Sequence, residues 1–216
     1  DKVSFGAPGK IGHGSLNSDV RTMRSQGALE ETGQVLDLAI EGEGMFIVGK
    51  AGNNLETNAF FTRDGSFQLD EAGYISSSEG LRLKSLTMGD IEVPKTITED
   101  GDILFLSSLS IDETGSVNAK YGEGISRVLA QIGIAQFPDI SQLQENGSNL
   151  FRSTNASGAA EVTAPFTGGN GRIMSGTLEM SNINMSNELT TMIQAQQAFS
   201  GSSRLLQSET EMLRRL

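Results

Sequence analysis

The sequence predicts a mainly β protein: an antiparallel β-rich domain of many short strands, followed by a long C-terminal amphipathic α-helix. Three observations carry that reading. Gly is abundant, at 26 residues against 4 Pro, which suits short strands joined by tight turns. Apolar and polar residues alternate in short runs, bounded by Gly, Asp, Asn and Ser, through most of the chain. Only the last stretch, Met185 to Leu216, changes to a helical period. The division is therefore residues 1–180 as a β-rich core with no large inserted domain, and residues 181–216 as a coiled-coil-type helix for assembly.

Taken in order, Gly6, Pro8, Gly9, Gly12 and Gly14 make the opening a loop, and Ser15 to Met23 forms an extended strand. His13, the single histidine, stands in that loop and reads as an exposed polar residue, because a site needs convergent partners. Val35, Leu36, Leu38 and Ile40 form a strand, Glu41-Gly42-Glu43-Gly44 a turn, and Met45 to Val48 the second arm of a hairpin. Gly42-x-Gly44 is no phosphate loop: no Lys-Ser/Thr follows, no helix opens after it, and its flanks are acidic. Phe60 to Leu83 is a meander of three short strands with turns at Asp64-Gly65, Asp70 to Gly73 and Glu79-Gly80. Phe67, Leu69, Leu81 and Leu83 mark its buried face. Val93-Pro94 and Ile103 to Leu106 are strand ends, and Ser107 to Lys120 is a hairpin turning through Asp112 to Gly115. Val128 to Phe137 alternates as one buried strand, with Leu129, Gln131, Gly133, Ala135 and Phe137 on one side. Ser141 to Glu145 is a helical turn, Leu150 to Thr154 a strand, residues 155–172 an irregular connector and Ile173 to Met180 the last strand, making roughly ten strands.

The helix carries a seam. From Met185, alternating steps of four and three pass Leu189, Met192, Gln196, Phe199, Ser203, Leu206, Thr210 and Leu213, most of them apolar, as a helix packed on another helix requires. Ser186 is placed to cap it, Glu188 lies in the first turn, and Arg214 and Arg215 lie in the last. Its length is about 45 Å at ~1.5 Å per residue. No second helix of comparable length stands upstream, so the seam calls for an external partner. The candidate assembly residues are Met185, Leu189, Met192, Ile193, Phe199, Leu206 and Leu213, with the methionines serving as packing side chains.

Composition narrows the function. Lys and Arg total 16 against 27 Asp and Glu, a formal charge of −11, which disfavours phosphate backbones and anionic membrane surfaces. With no cysteine there are no disulfides, thiol nucleophiles or thiolate metal sites. No apolar run approaches the ~20 residues of a membrane-spanning helix, and no charged-then-apolar leader opens the chain. The start at Asp1 rather than Met implies processing or a fragment. A Ser-His-Asp triad would have to use His13, with no G-x-S-x-G elbow to supply the serine. The pairs Glu30-Glu31, Glu41-Glu43, Asp70-Glu71 and Asp112-Glu113 supply the residue types of glycoside hydrolysis, yet no Trp and 2 Tyr give it no aromatic platform. The acidic turns lack EF-hand spacing and read as turn formers. The expectation is a protein that is not an enzyme, with no cofactor and no metal.

Three stretches, in order, carry a resemblance. The first runs from Gln26-Gly27 through Thr32-Gly33 to Leu36-Asp37-Leu38-Ala39-Ile40, then Gly42-x-Gly44-Met45-Phe46-Ile47-Val48. The second is Phe61-Thr62-Arg63-Asp64-Gly65-Ser66-Phe67 with Leu69-Asp70, Gly73 and Gly80. The third is Ser175-Gly176-x-Leu178-Glu179-Met180-Ser181-Asn182-Ile183, then Glu188-Leu189 and Met192-Ile193-x-Ala195-Gln196. Asn149-Leu150-Phe151-Arg152 and Ala156-Ser157-Gly158 add a weaker match. Together they resemble the bacterial flagellar hook and distal-rod family of axial proteins. The resemblance implies a structural subunit that assembles helically into a tube, the β-domain as its wall and the terminal helices as its lining. It implies that the seam's partner is an N-terminal helix this chain lacks. Longer hook proteins insert a β-domain where Lys84 to Ser108 stand here, which fits a short hook protein or the distal rod. Gln131-Ile132 to Phe137 and Leu178 to Asn182 look more hook-like, so the hook comes first and the distal rod is the alternative. The implied partners are copies of the chain and neighbouring axial proteins (rod, hook-filament junction, hook cap), with no nucleic acid and no membrane insertion. The implied location is the flagellum, reached by export through its channel to the outside. A reading of another class is a secreted β-rich carbohydrate-binding or hydrolysing domain that uses the acidic turns at Asp70 and Asp112.

Overall fold

The structure, a computed structural model, describes residues 26–52, 59–99, 102–122, 124–182 and 185–215. The expected opening loop, the strand Ser15 to Met23 and His13 lie outside these residues. Seventeen strands are β1 (Leu29–Glu31), β2 (Leu38–Glu41), β3 (Met45–Gly49), β4 (Ala59–Thr62), β5 (Phe67–Leu69), β6 (Ile75–Ser77), β7 (Arg82–Leu83), β8 (Thr96–Glu99), β9 (Asp102–Ile111), β10 (Ser116–Tyr121), β11 (Ile125–Gln131), β12 (Ile134–Gln136), β13 (Gln144–Glu145), β14 (Leu150–Arg152), β15 (Glu161–Thr163), β16 (Arg172–Ser175) and β17 (Thr177–Glu179). The helix α1 (Met185–Arg215) follows them. The mainly β class with one long C-terminal helix is the one the sequence predicts.

β3 is the centre of the packing. One edge pairs with β4, and the other is shared between β12 and β7. All five of its residues are buried. Its side chains alternate between two apolar clusters, because successive residues of a strand face opposite ways. Phe46 and Val48 join Leu38, Ile40, Phe67, Leu83, Ile134 and Ile173 in the larger cluster. Met45 and Ile47 join Phe61, Ala135, Phe137 and Leu143 in the smaller. Edge-to-face rings tie each together: Phe46 on Phe67 at 5.4 Å and Phe61 on Phe137 at 4.7 Å between centroids, a geometry aromatic quadrupoles favour. The main sheet runs β13-β14-β4-β3-β7-β6-β5, with β12 and β15 added beside β3. A second sheet is the meander β11-β10-β9-β8, and two ribbons, β2–β16 and β1–β17, complete the body.

Local turns match the sequence reading. Phe67 to Leu83 forms hairpins β5–β6 and β6–β7, and β9–β10 pairs Ile111 with Val117 and Leu109 with Ala119 across the Asp112 turn. Where a helical turn over Ser141 to Glu145 was expected, a shorter 3₁₀ turn spans Ile140–Gln142, capped by the Asp139 carboxylate accepting from the Ser141 N–H at 2.9 Å, and Gln144–Glu145 is β13.

Other expectations are corrected. β2 and β3 are not a hairpin: β2 pairs with β16, far down the chain. Gly42 and Gly44 have φ of +114° and +128°, and a Cβ on Gly44 would stand 2.2 Å from Ile134 Cγ2, so the connection carries the chain from one sheet to the other. Val35 and Leu36 sit in the turn before β2. Asp64-Gly65 joins β4 to β5 without pairing them; the Gly65 carbonyl instead accepts from the Leu38 N–H at 2.9 Å. Val128 to Phe137 is two strands, β11 and β12, in different sheets. They divide at Gly133, where a Cβ would press on the Leu86 backbone. Ile173 to Met180 divides likewise into β16 and β17 at Gly176, which has φ +73°. The connector 155–172 contains β15, which extends the main sheet from β12. Among the described residues seventeen strands stand where about ten were expected, because several are too short for alternation to register. Ser186 is not the cap, since α1 begins at Met185 and the Ser186 carbonyl accepts from Thr190 Oγ1 at 2.8 Å.

Candidate assembly surfaces

The root of the helix is built from three distant segments. β1 and β17 are antiparallel, pairing Leu29 with Glu179 and Glu31 with Thr177. Gly27 and Ala28 therefore stand beside Met180, and the Met180 N–H donates to the Ala28 carbonyl at 2.8 Å. Gly27 is required there, because a Cβ would lie 1.8 Å from the Met180 carbonyl oxygen. Arg63 locks the junction. Its guanidinium donates to the Gly42 carbonyl at 2.7 Å and the Ile40 carbonyl at 3.4 Å, and pairs with Glu179 at 3.2 Å. The other Glu179 oxygen accepts the Gly27 N–H at 2.8 Å. Gln26 completes the junction, donating to the Ile40 carbonyl at 2.8 Å and accepting from the Gly42 N–H at 3.2 Å. A planar fork of donors suits this task of joining several carbonyls and a carboxylate. Arg63 and Glu179 were visible in the sequence only as members of the motif stretches, and neither stood out as a site.

The described side chains of α1 are exposed all round, except half-buried Ser203. Of the predicted seam, Met185, Leu189, Met192, Ile193 and Phe199 all face solvent, from 51% exposed at Leu189 to 78% at Phe199. Leu206 and Leu213 belong to the same helix, but their side chains lie outside the described set. Apolar area of this kind in water is costly unless something covers it.

The acidic turns serve their own backbones. The Asp112 carboxylate accepts from the Thr114 N–H, the Thr114 hydroxyl and the Ser116 N–H at 3.0, 2.6 and 2.9 Å. Burial alone would raise its pKa, but these bonds outweigh that and lower it. Asp70 accepts from the Tyr74 N–H at 2.8 Å. Among the described residues no three His, Asp or Glu side chains converge as a metal site, and no helix is long and apolar enough to cross a membrane.

A charged cluster that the sequence did not single out lies beside β7. Lys84, 3% exposed, donates to Asp90 and to the Lys50 carbonyl. Asp90 also pairs with Arg82 at 3.0 Å. Arg82 in turn stacks on the Tyr74 ring at 3.7 Å. Burial pushes the Asp90 carboxyl up, but the bonds from Lys84, Arg82 and the Gly52 N–H, with the Lys84 charge, hold it below the usual carboxylate range.

Comparison with known proteins places these features. Residues 39–119 match the family described as flagellar hook protein FlgE/F/G D1 domain, and residues 174–216 match flagellar basal body rod FlgEFG protein C-terminal. The flagellar basal-body rod protein FlgG of Bacillus subtilis is 34% identical over 208 residues, covering 96% of this chain and 74% of the relative. That of Borreliella burgdorferi is 31% identical over 205 residues, 94% of this chain and 72% of the relative. The flagellar hook protein FlgE of Caulobacter vibrioides is 38% identical over 111 residues, 51% of this chain and 19% of the relative.

Proposed function

The chain belongs to the flagellar hook and basal-body rod family of axial proteins, and on that premise we propose that it is a structural subunit of the distal rod. The sequence reading put the hook first; the order is reversed here. The observation that carries this is coverage: rod relatives align along 94–96% of the chain, the hook relative along 51%. The family's proteins are structural, and the fold suits a subunit that transmits torque rather than one that performs chemistry. The β body makes the wall, copies contact one another heterologously so that the array stays open, and α1 packs through Met185, Leu189, Met192, Ile193, Phe199, Leu206 and Leu213 on helices of the assembly. Arg63 and Glu179 tie that helix to the wall, so load on one passes to the other. Export through the flagellar channel brings the subunit to its place, where neighbouring axial proteins bound the array.

Polymerisation of the full-length protein, imaged by electron microscopy, tests this. Straight, stiff tubes are expected; curved, flexible tubes return the protein to the hook. No polymer under any condition, together with saturable glycan binding lost on changing Asp70 and Asp112, moves it to the carbohydrate-binding reading. Leu189→Asp with Leu206→Asp is expected to abolish tubes while the β body stays folded, and normal tubes from that variant would remove the helix from the contact.

A further inference from the structure

The outer face of the β8–β11 sheet is unlike the rest of this surface. Register and alternation decide which residues it holds. Thr96 pairs with Phe105 and Thr98 with Ile103. After the irregularity between Lys120 and Tyr121, Lys120 pairs with Ser108 and Asn118 with Ser110 and Val128. The opposite face holds Val117, Ala119 and Tyr121, all buried, together with the ion pair of Glu99 and Arg127 at 3.0 Å. On the outer face Ile103, Phe105 and Val128 are 64%, 69% and 69% exposed. Thr96, Thr98 and Lys120 are exposed beside them, and the remaining positions are serine, asparagine and glutamine. In a chain with 27 acidic residues, the described residues of this face carry no carboxylate and one cation.

The hairpin that bears the apolar pair extends past the rest of the sheet. β9 pairs with β10 only from Leu106 onward, and Asp102 to Leu104 pair with β8 alone. The end of this hairpin is two-stranded and marginally stable by itself; Ile103 and Phe105 show their side chains to water there, with the Phe105 carbonyl accepting from the Gly122 N–H at 3.1 Å. The cost of exposing those side chains falls when another surface covers the face.

We infer that this face, centred on Ile103 and Phe105, is an interface that docks on a second copy of this chain. The inference rests on the reading of the chain as a self-assembling axial subunit. Charge selects the occupant. Copies that each carry −11 repel wherever carboxylates meet, so close contact is cheapest where a surface lacks them. The lone Lys120 then meets an acidic neighbour, which any copy of this chain supplies. The contact is heterologous, joining this face to a different patch on the next copy, because a self-complementary contact closes a dimer and ends growth.

The test uses the full-length protein and its critical concentration for polymerisation. Phe105→Ser and Ile103→Thr change exposed positions and leave the fold intact, and each is expected to raise that concentration about tenfold. A benzophenone attached to the one thiol of Phe105→Cys, in a chain with no other cysteine, is expected to cross-link to a different face of a second copy. If the wild type forms no polymer, the axial-subunit reading fails first. If it polymerises and Phe105→Ser does so at the wild-type concentration, this interface alone is refuted. Cross-links only to the same face of a second copy, or only to another axial protein mixed in, also overturn it.

Discussion

Arg63 joins segments that are far apart in sequence with one guanidinium, so its removal is felt in three places at once. In Arg63→Ala the carbonyls of Ile40 and Gly42 lose a donor, and Glu179 keeps its charge with, among the described residues, the Gly27 N–H to meet it. The pair is partly open to water, its side chains 29% and 14% exposed, which limits the loss to about 1–3 kcal/mol. A urea titration checks it, and Arg63→Lys restores only part, because an ammonium cannot fork to several acceptors. Asp90 gives a pH signature. Its folded pKa is depressed despite burial, through Lys84, Arg82 and the Gly52 N–H. The stability it contributes is therefore full above the unfolded carboxylate value of about 3.9 and is lost as pH falls through the lower folded one. Urea midpoints measured from neutral pH down to about pH 2.5 are expected to fall with acid in the wild type and to fall less in Asp90→Asn. Equal slopes would show that the cluster is not ionised as drawn.

Glycines decide where elements start, stop and change sheets, and two of them separate steric from conformational causes. Gly65 has no room: a Cβ would stand 1.5 Å from the Leu38 carbonyl oxygen, which belongs to backbone that cannot step aside. Gly80 has open space but φ +75°. Gly65→Ala is expected to cost about 2–4 kcal/mol and Gly80→Ala about 1 kcal/mol, both read by chemical denaturation; a Gly80 cost as large as that of Gly65 would mean the hairpin turn is pinned by more than its φ. The same contrast explains what the sequence disclosed. Hairpins whose turn chemistry is local, such as β9–β10 across Asp112, were legible, because Asp and Gly name the turn and alternation names the face. β2 and β3 were not. Each is buried on both sides, so neither alternates, and their partners are set by long-range contacts such as Ile40 with Ile173 and Phe46 with Ile134. The helix α1 was legible because its period is long and regular. The Arg63 junction was not, since three segments meet there only after folding. The outer face of β8–β11 was hidden for a further reason: an irregularity in β9 shifts the alternation midway, so no single period runs along the strand.

At the scale of the whole molecule, two surfaces oppose one force. On the proposed reading, the exposed stripe of α1 and the sheet face whose described residues lack carboxylates favour contact between copies, and the net charge of −11 opposes it. Apolar burial depends little on modest salt, whereas repulsion between exposed charges weakens as the Debye length falls from about 30 Å at 0.01 M to about 8 Å at 0.15 M. Rising ionic strength should therefore lower the critical concentration for polymerisation, several-fold across that range. Phe105→Ser should shift the curve upward at every salt concentration without altering its slope, because the lost contribution is apolar. Sedimentation of polymer at a series of salt concentrations reads both quantities. A critical concentration that rises with salt would mean that ion pairs carry the contacts, placing the interface on the acidic surface and its matching arginines instead of on the sheet face and the helix.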